Sequence, residues 1–319
     1  MGVPVWSIAV VIIAVWPWLN DILFTPTYHV HKTGAVVITG ASSGIGLDAA
    51  LTLDSLGFTV FPGVRKEADA KSLKEMSPSL RPILIDTTDS QSCERAAKEV
   101  ESFLLESGQG LVGVVNNAGI SRRIPMELEN IDAVSQMMDV NVVGVFRSTL
   151  PFLPLLREHK GRIVSTGSVA GLIATAGSAT YSASKFAVEG ITDSLRLEMA
   201  PFGVSVSIVE PAYVKSKIAS KQVGANAPIL KSPAGDNAKA LYVDFLSKQD
   251  KKRIKAEEKA STTSASTTPA IVHALTSPKP KTRYIVANYF GLPAWILGWV
   301  HYALPDRVED TLVTLISSR

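Results

Sequence analysis

Ala35-Val-Val-Ile-Thr39-Gly40-Ala-Ser-Ser-Gly44-Ile-Gly46 is the stretch that decides the fold. Its first half is a short apolar run without polar alternation, as a strand buried on both faces requires. Its second half sets three glycines in the spacing G-x-x-x-G-x-G, immediately before a helical pattern over residues 44–56. Glycines there permit a tight turn and close backbone approach. The helix behind them offers unpaired N–H groups and the positive end of its dipole to a pyrophosphate. A glycine triplet alone is weak evidence, but between a buried strand and an amphipathic helix it is specific. Gly40, Ser42, Ser43, Gly44, Ile45 and Gly46 are therefore the candidate phosphate-binding residues.

The same alternation runs on through the chain. Strands are expected at 35–39, 58–61, 83–85, 111–115, 162–165, 204–209 and 284–286, and helices at 44–56, 90–106, 131–159 and 181–200. Strand–helix repetition at this spacing implies an α/β fold, a Rossmann-type doubly wound parallel sheet of about seven strands. Residues 215–268 break the rhythm. They hold a charged run (250–259) and a Ser/Thr run (261–268), and are expected to form a lid inserted over the site.

A chain of 319 residues with 46% hydrophobic residues is long enough to bury a large single core. Its net charge is +3, and the basic residues are scattered, which argues against a nucleic-acid partner. Cys93 is the only cysteine, so no intrachain disulfide forms. No Asn-x-Ser/Thr acceptor occurs, consistent with a catalytic domain on the cytosolic side.

The two ends differ from the middle. Residues 1–24 carry no charge from Gly2 to Leu19, with Trp6, Trp16 and Trp18 near the ends of the apolar run. That length just suffices for a helix across a bilayer core, with an aromatic belt. The basic n-region and small-x-small site of a cleaved signal peptide are missing. The expectation is a membrane anchor, followed by a catalytic domain over 33–288 and located on the endoplasmic reticulum or another organelle membrane. Residues 289–319 begin with an apolar patch interrupted by Gly291, Pro293 and Gly298. They suit an interfacial or pocket-covering segment better than a span, and Pro305-Asp-Arg opens a short final helix.

Beyond the glycines, Gly63-Val64-Arg65-Lys66 falls where a second strand ends, with no acid before Glu67. A carboxylate there would bind a ribose 2′-hydroxyl, whereas cations accommodate a 2′-phosphate. Arg65 and Lys66 thus point to NADP(H), with NAD(H) possible. Asp86 closes the third strand, where it can receive the adenine amino group. Asn116-Asn117-Ala118-Gly119 closes the fourth, where small residues let the backbone pass beneath a ribose. Further on, Ser168 follows the fifth strand, and Tyr181 and Lys185 are spaced to share one face of a helix. A cation within reach of a phenol favours its ionised form and suits Tyr181 to general acid/base work. Ser168 can hold a carbonyl or hydroxyl oxygen beside it.

Together these motifs resemble the short-chain dehydrogenase/reductase family, over residues 33–287. The resemblance implies that Tyr181 is the catalytic acid/base. It further implies that Lys185 assists it and binds the nicotinamide ribose, that Ser168 orients the substrate oxygen, and that Asn141 holds a water of the proton relay. It also places Pro211 and Val214 against the nicotinamide, with Ala212 where the family has glycine, and Gly167 as a second departure. Phe58-Thr-Val-Phe-Pro-Gly-Val, Val209-Glu-Pro, Arg283-Tyr and Leu304-Pro-Asp-Arg are similar to the branch of retinol, 17β-hydroxysteroid and 3-hydroxybutyrate dehydrogenases. That branch implies an apolar, lipid-like alcohol or ketone (a steroid or retinoid) as small-molecule substrate, and the uncharged loop 169–177 suits one. The alternatives are a membrane-associated reductase of 3-ketoacyl or 3-ketosphingoid substrates, and a non-catalytic dinucleotide-binding scaffold. Family members often pair as homodimers or homotetramers.

Overall fold

Seven Val- and Ile-rich runs pair edge to edge, all in parallel: β1 (Ala35–Ile38), β2 (Thr59–Val64), β3 (Ile83–Leu84), β4 (Leu111–Asn116), β5 (Arg162–Thr166), β6 (Ser205–Pro211) and β7 (Arg283–Val286). Their order across the sheet is β3-β2-β1-β4-β5-β6-β7. This is a computed structural model that describes residues 26–212, 214, 234–259, 263–289, 292–294 and 304–318. The seven-stranded doubly wound sheet expected from the sequence is present.

Successive residues of each strand serve opposite layers, because side chains alternate across a sheet. Val36 and Ile38 pack on one face with Val60, Val115, Val164 and Val209. That face is covered by α1 (Gly44–Ser55) through Ala49, Ala50 and Leu53, and by α9 (Thr268–Thr276) through Ile271, Ala274 and Leu275. Ala35 and Val37 join Phe61, Val114, Ile163 and Val206 on the other face. There α3 (Ser90–Ser107) contributes Cys93, Ala97, Val100 and Leu104. Burial on both sides, complete in β1 and β4, is why the strands are largely apolar, although β5 and β6 also bury Arg162, Ser165, Ser205, Ser207 and Glu210.

The surface helix α2 (Glu67–Met76) was not expected, because it is rich in charge and buries only Leu73. The single helix expected over 131–159 is instead interrupted. It consists of α4 (Ile131–Met138), a π turn (Asp139–Val143), α5 (Gly144–Thr149), a 3₁₀ turn (Leu150–Phe152) and α6 (Leu153–Glu158). Pro151 and Pro154 sit at the starts of the last two pieces, where a missing N–H costs least. The long α7 (Ala179–Met199) follows β5.

The expected lid is only partly described. Residues 215–233 and 260–262 lie outside the described residues, while α8 (Asp236–Lys259) packs Leu246 against Ile124 and Leu128. The expected anchor, residues 1–24, also lies outside them. Among the described residues, no helix is long and apolar enough to cross a membrane. Most of the apolar patch 289–304 is likewise undescribed. What is seen of it is a short antiparallel ribbon of β8 (Asn288–Tyr289) and β9 (Leu292–Pro293) and a buried Ala294. After Pro305 the expected final helix α10 (Asp306–Ser318) forms.

Candidate active site

The strand order reverses between β1 and β4, so the chain leaves these neighbours in opposite directions and opens a crevice at their C-terminal ends. Thr39, directly after β1, bridges that crevice. Its hydroxyl accepts from the backbone N–H groups of Asn117 and Ala118, both at 3.0 Å, and donates to the Val115 carbonyl at 3.4 Å.

The glycine turn rests on the same strand end. Gly40 has φ +67° and Gly44 φ +62°, a region that favours glycine. A Cβ on Gly40 would lie 2.7 Å from Ala118 Cα. One on Gly46 would lie 2.5 Å from Asn117 Nδ2 and 2.7 Å from the Gly40 carbonyl oxygen. Asn117 Nδ2 in turn donates to the carbonyls of Thr39 (3.0 Å) and Gly40 (3.1 Å), locking the turn to β4. Ser43 stands at the N-cap of α1 without a side-chain capping bond, and the first turn holds no acid. The leading N–H groups therefore lack a side-chain cap, and Gly40, Ser42, Ser43, Gly44, Ile45 and Gly46 fit a pyrophosphate cradle.

Around this cradle stand the other expected contacts. Arg65 and Lys66 are exposed just past β2. Asp86 accepts from the Thr88 N–H (3.0 Å) and hydroxyl (2.8 Å). Burial works to raise its carboxyl, but the two Thr88 bonds and the Arg65 charge outweigh it and hold the group below its usual range. The two adjacent asparagines separate in role. Asn117 binds the glycine turn, whereas buried Asn116 bonds Thr149 Oγ1 and Ser148 Oγ, each at 2.8 Å, and so ties β4 to α5. Gly119 faces Asn141, with a Cβ there reaching within 3.4 Å of Asn141 Oδ1.

Along α7 the remaining candidates converge. Buried Lys185 directs its ammonium inward, donating to the Thr166 carbonyl at the end of β5 at 2.8 Å. Its nitrogen lies 5.9 Å from the centroid of the Tyr181 ring. Asn141, in the π turn, is pinned by its amide: Oδ1 accepts from Ile120 N–H (2.8 Å), while Nδ2 donates to the Ile120 carbonyl (2.9 Å) and Ser184 Oγ (3.0 Å). Ser184 then donates to the Tyr181 carbonyl at 2.7 Å. Ser168 caps the turn Val169–Gly171, accepting from Ala170 N–H at 3.2 Å, and reaches the Pro211 carbonyl at 3.5 Å. That turn lies on α7, since a Cβ on Gly171 would come within 2.9 Å of the Lys185 carbonyl oxygen. Pro211 ends β6 and buried Val214 follows it. Ala212 does not adopt a left-handed backbone, so the missing glycine causes no strain there.

Behind the Ser168 turn is a cluster that reading the sequence missed. Glu189 and Asp193 of α7, Glu210 of β6 and Arg283 of β7 meet at one guanidinium. Arg283 pairs closely with Glu189 and Asp193, and lies 3.6 Å from Glu210, whose side chain is fully buried. Burial, then the Glu189 charge, pushes the Glu210 carboxyl up to about 8, and burial likewise raises Glu189. Gly167 is the small residue this requires: a Cβ there would meet Ile208 Cδ1 at 2.8 Å and Glu189 Oε1 at 3.0 Å. No spacing in the sequence signals the cluster, because its members lie up to 94 residues apart.

Residues 34–226 match the family model described as short chain dehydrogenase. Over 287 residues the chain is 34% identical to D-beta-hydroxybutyrate dehydrogenase, mitochondrial, of Mus musculus, covering 87% of this chain and 83% of that protein. It is 35% identical over 298 residues to Retinol dehydrogenase 5 of Mus musculus, covering 89% of each. Among solved structures, a short chain dehydrogenase from Burkholderia cenocepacia J2315 in complex with NADP has a TM-score of 0.66 at 23% identity, covering 89% of this chain and 98% of that one. A short chain dehydrogenase/reductase from Burkholderia phymatum in complex with NAD gives 0.66 at 22% identity, over 80% and 89%. At such identities these two structures speak to the fold alone.

Proposed function

The chain belongs to the short-chain dehydrogenase family, and from that premise we propose that it interconverts the alcohol and ketone of an apolar, lipid-like substrate, with Tyr181 as acid/base. A nicotinamide dinucleotide, held by Gly40 to Gly46, Asp86, Asn117, Ala118, Gly119, Pro211 and Val214, supplies the hydride donor or acceptor. Everything else falls to the protein. Ser168 holds the substrate oxygen. Tyr181 gives that oxygen its proton on reduction and takes it back on oxidation. Lys185 stabilises the negative charge left on the phenol and binds the nicotinamide ribose. Asn141 ties the loop after β4 to the turn of α7 that carries Tyr181, and a water beside it would complete the proton relay.

One observation carries this reading: the buried ammonium of Lys185, fixed by Thr166 and facing the Tyr181 ring. Such a cation is costly to bury. Its placement beside a phenol, at the crevice end of the sheet, fits a proton-transfer site. Exposed Arg65 and Lys66, with no acid between β2 and them, favour NADP(H) and thus carbonyl reduction. The names of the relatives, a hydroxybutyrate and a retinol dehydrogenase, favour a hydroxyl-bearing substrate. The uncharged loop 169–177 favours an apolar one. Residues 2–19 carry no charge, which supports attachment to an organelle membrane, and residues 215–268 are the proposed substrate lid. Exposed Phe146, Leu150 and Phe186 on α5, the turn after it and α7 support pairing of two copies.

The test is Tyr181→Phe, assayed by NADPH absorbance against steroid, retinoid and ketoacyl panels. Turnover should be lost while NADPH binding persists; retained turnover refutes the assignment.

A further inference from the structure

We infer that Arg123 is a specificity residue, selecting substrates with an anionic group a few bonds from the reacting carbon. The inference rests on the reading of Tyr181 given above and narrows its substrate to an amphipathic acid. Arg123 lies on the loop between β4 and α4, with its guanidinium carbon 5.9 Å from the centroid of the Tyr181 ring. Lys185 lies at the same distance from that ring. The phenol is thus accompanied by two cations, but they differ in what else they do. Lys185 is buried and bonded to Thr166. Arg123 is exposed and has no carboxylate within ion-pair distance among the described residues.

The acids of this loop are engaged elsewhere. Glu129 takes Arg122 as its partner at 3.8 Å and accepts from the Thr180 hydroxyl at 3.0 Å. Glu127 accepts from the Tyr242 hydroxyl of α8 at 3.0 Å. Arg122 and Glu129 therefore fasten the loop to the start of α7, one residue before Tyr181. Buried Ile124, packed with Leu128 and Leu246, fixes the other side of Arg123. The arginine lies over the Tyr181 ring, and among the described residues the acids of its loop are satisfied without it. A guanidinium matches carboxylate or phosphate as a planar, two-point donor. The uncharged loop 169–177 then remains for the apolar part of the molecule.

Matched probes decide the matter: decanoic acids with a ketone at C3, C4 or C5, each beside its methyl ester, reduced with NADPH. The wild-type protein should favour the free acid. Arg123→Ala should raise KM for the preferred acid on the order of 10- to 100-fold, as expected for a lost charge-assisted hydrogen bond. Values of kcat and the KM for the ester should stay within about twofold, and Arg123→Lys should recover part of the loss. A thermal-shift titration at saturating NADPH gives the same comparison without turnover. Equal effects on acid and ester, or no acid preference in the wild type by either readout, overturn the inference. Tyr181→Phe on the same probes separates this from failure of the parent reading. Tyr181-dependent turnover with no role for Arg123 sinks only the substrate claim, whereas turnover that survives Tyr181→Phe sinks the enzyme assignment itself.

Discussion

Glu210→Gln tests the buried carboxylate cluster behind the Ser168 turn through its effect on stability against pH. Three carboxylates, Glu189, Asp193 and Glu210, share the guanidinium of Arg283, and only the outward-lying Asp193 has a second cation, Arg196, so full ionisation would leave net negative charge on the buried pair Glu189 and Glu210. The folded protein instead retains a proton there. Burial, reinforced by Glu189, pushes Glu210 up to about 8 from an ordinary 4.5. Between those values the folded state binds more protons than the unfolded chain, so stability must fall as pH rises. It is fully present below 4.5 and fully lost above 8. At about 1.36 kcal/mol per pH unit, the loss is on the order of 5 kcal/mol. Glutamine keeps the shape of glutamate and cannot ionise. The variant should therefore match the wild type near pH 4.5, lack most of this decline, and be the more stable protein at pH 8.5. With roughly 2 °C per kcal/mol for a chain of this size, the melting temperatures should separate by several degrees at alkaline pH. Thermal and urea unfolding at pH 5, 7 and 8.5 measure this, and parallel pH profiles for the two proteins would refute the reasoning.

Two further substitutions probe the cofactor side. Gly46→Ala puts a methyl against Asn117 Nδ2 and the Gly40 carbonyl, so the turn must shift; NADPH affinity by fluorescence titration should fall at least tenfold with the fold retained by circular dichroism, and unchanged affinity would contradict the cradle. Arg65→Ala combined with Lys66→Ala should lower kcat/KM for NADPH by about tenfold or more and leave that for NADH within twofold. A wild-type preference for NADH would remove the basis for that second expectation.

Much of this protein is legible in one dimension because its main determinants are local. β1 to β7 read as strands since burial on both faces demands consecutive apolar residues, and Gly40, Gly44 and Gly46 read as a turn since they follow β1 and open α1. Tyr181 and Lys185 are legible because a helix sets residues four apart on one face. What tertiary structure decided are contacts between elements far apart along the chain. The break of 131–158 at the π turn follows from Asn141 bonding Ile120 and Ser184, which no periodicity records. Thr39 looked like the end of a strand until β4 arrived beside it to supply the N–H groups of Asn117 and Ala118. Glu189 carries no signal in the sequence, and Glu210 and Arg283 stand there only within Val209-Glu-Pro and Arg283-Tyr; only the packing of α7 on β6 and β7 brings the three together. Periodicity reports which face of an element is apolar, but a polar group's partner is set by the approach of another element, and that is determined only when the chain has folded.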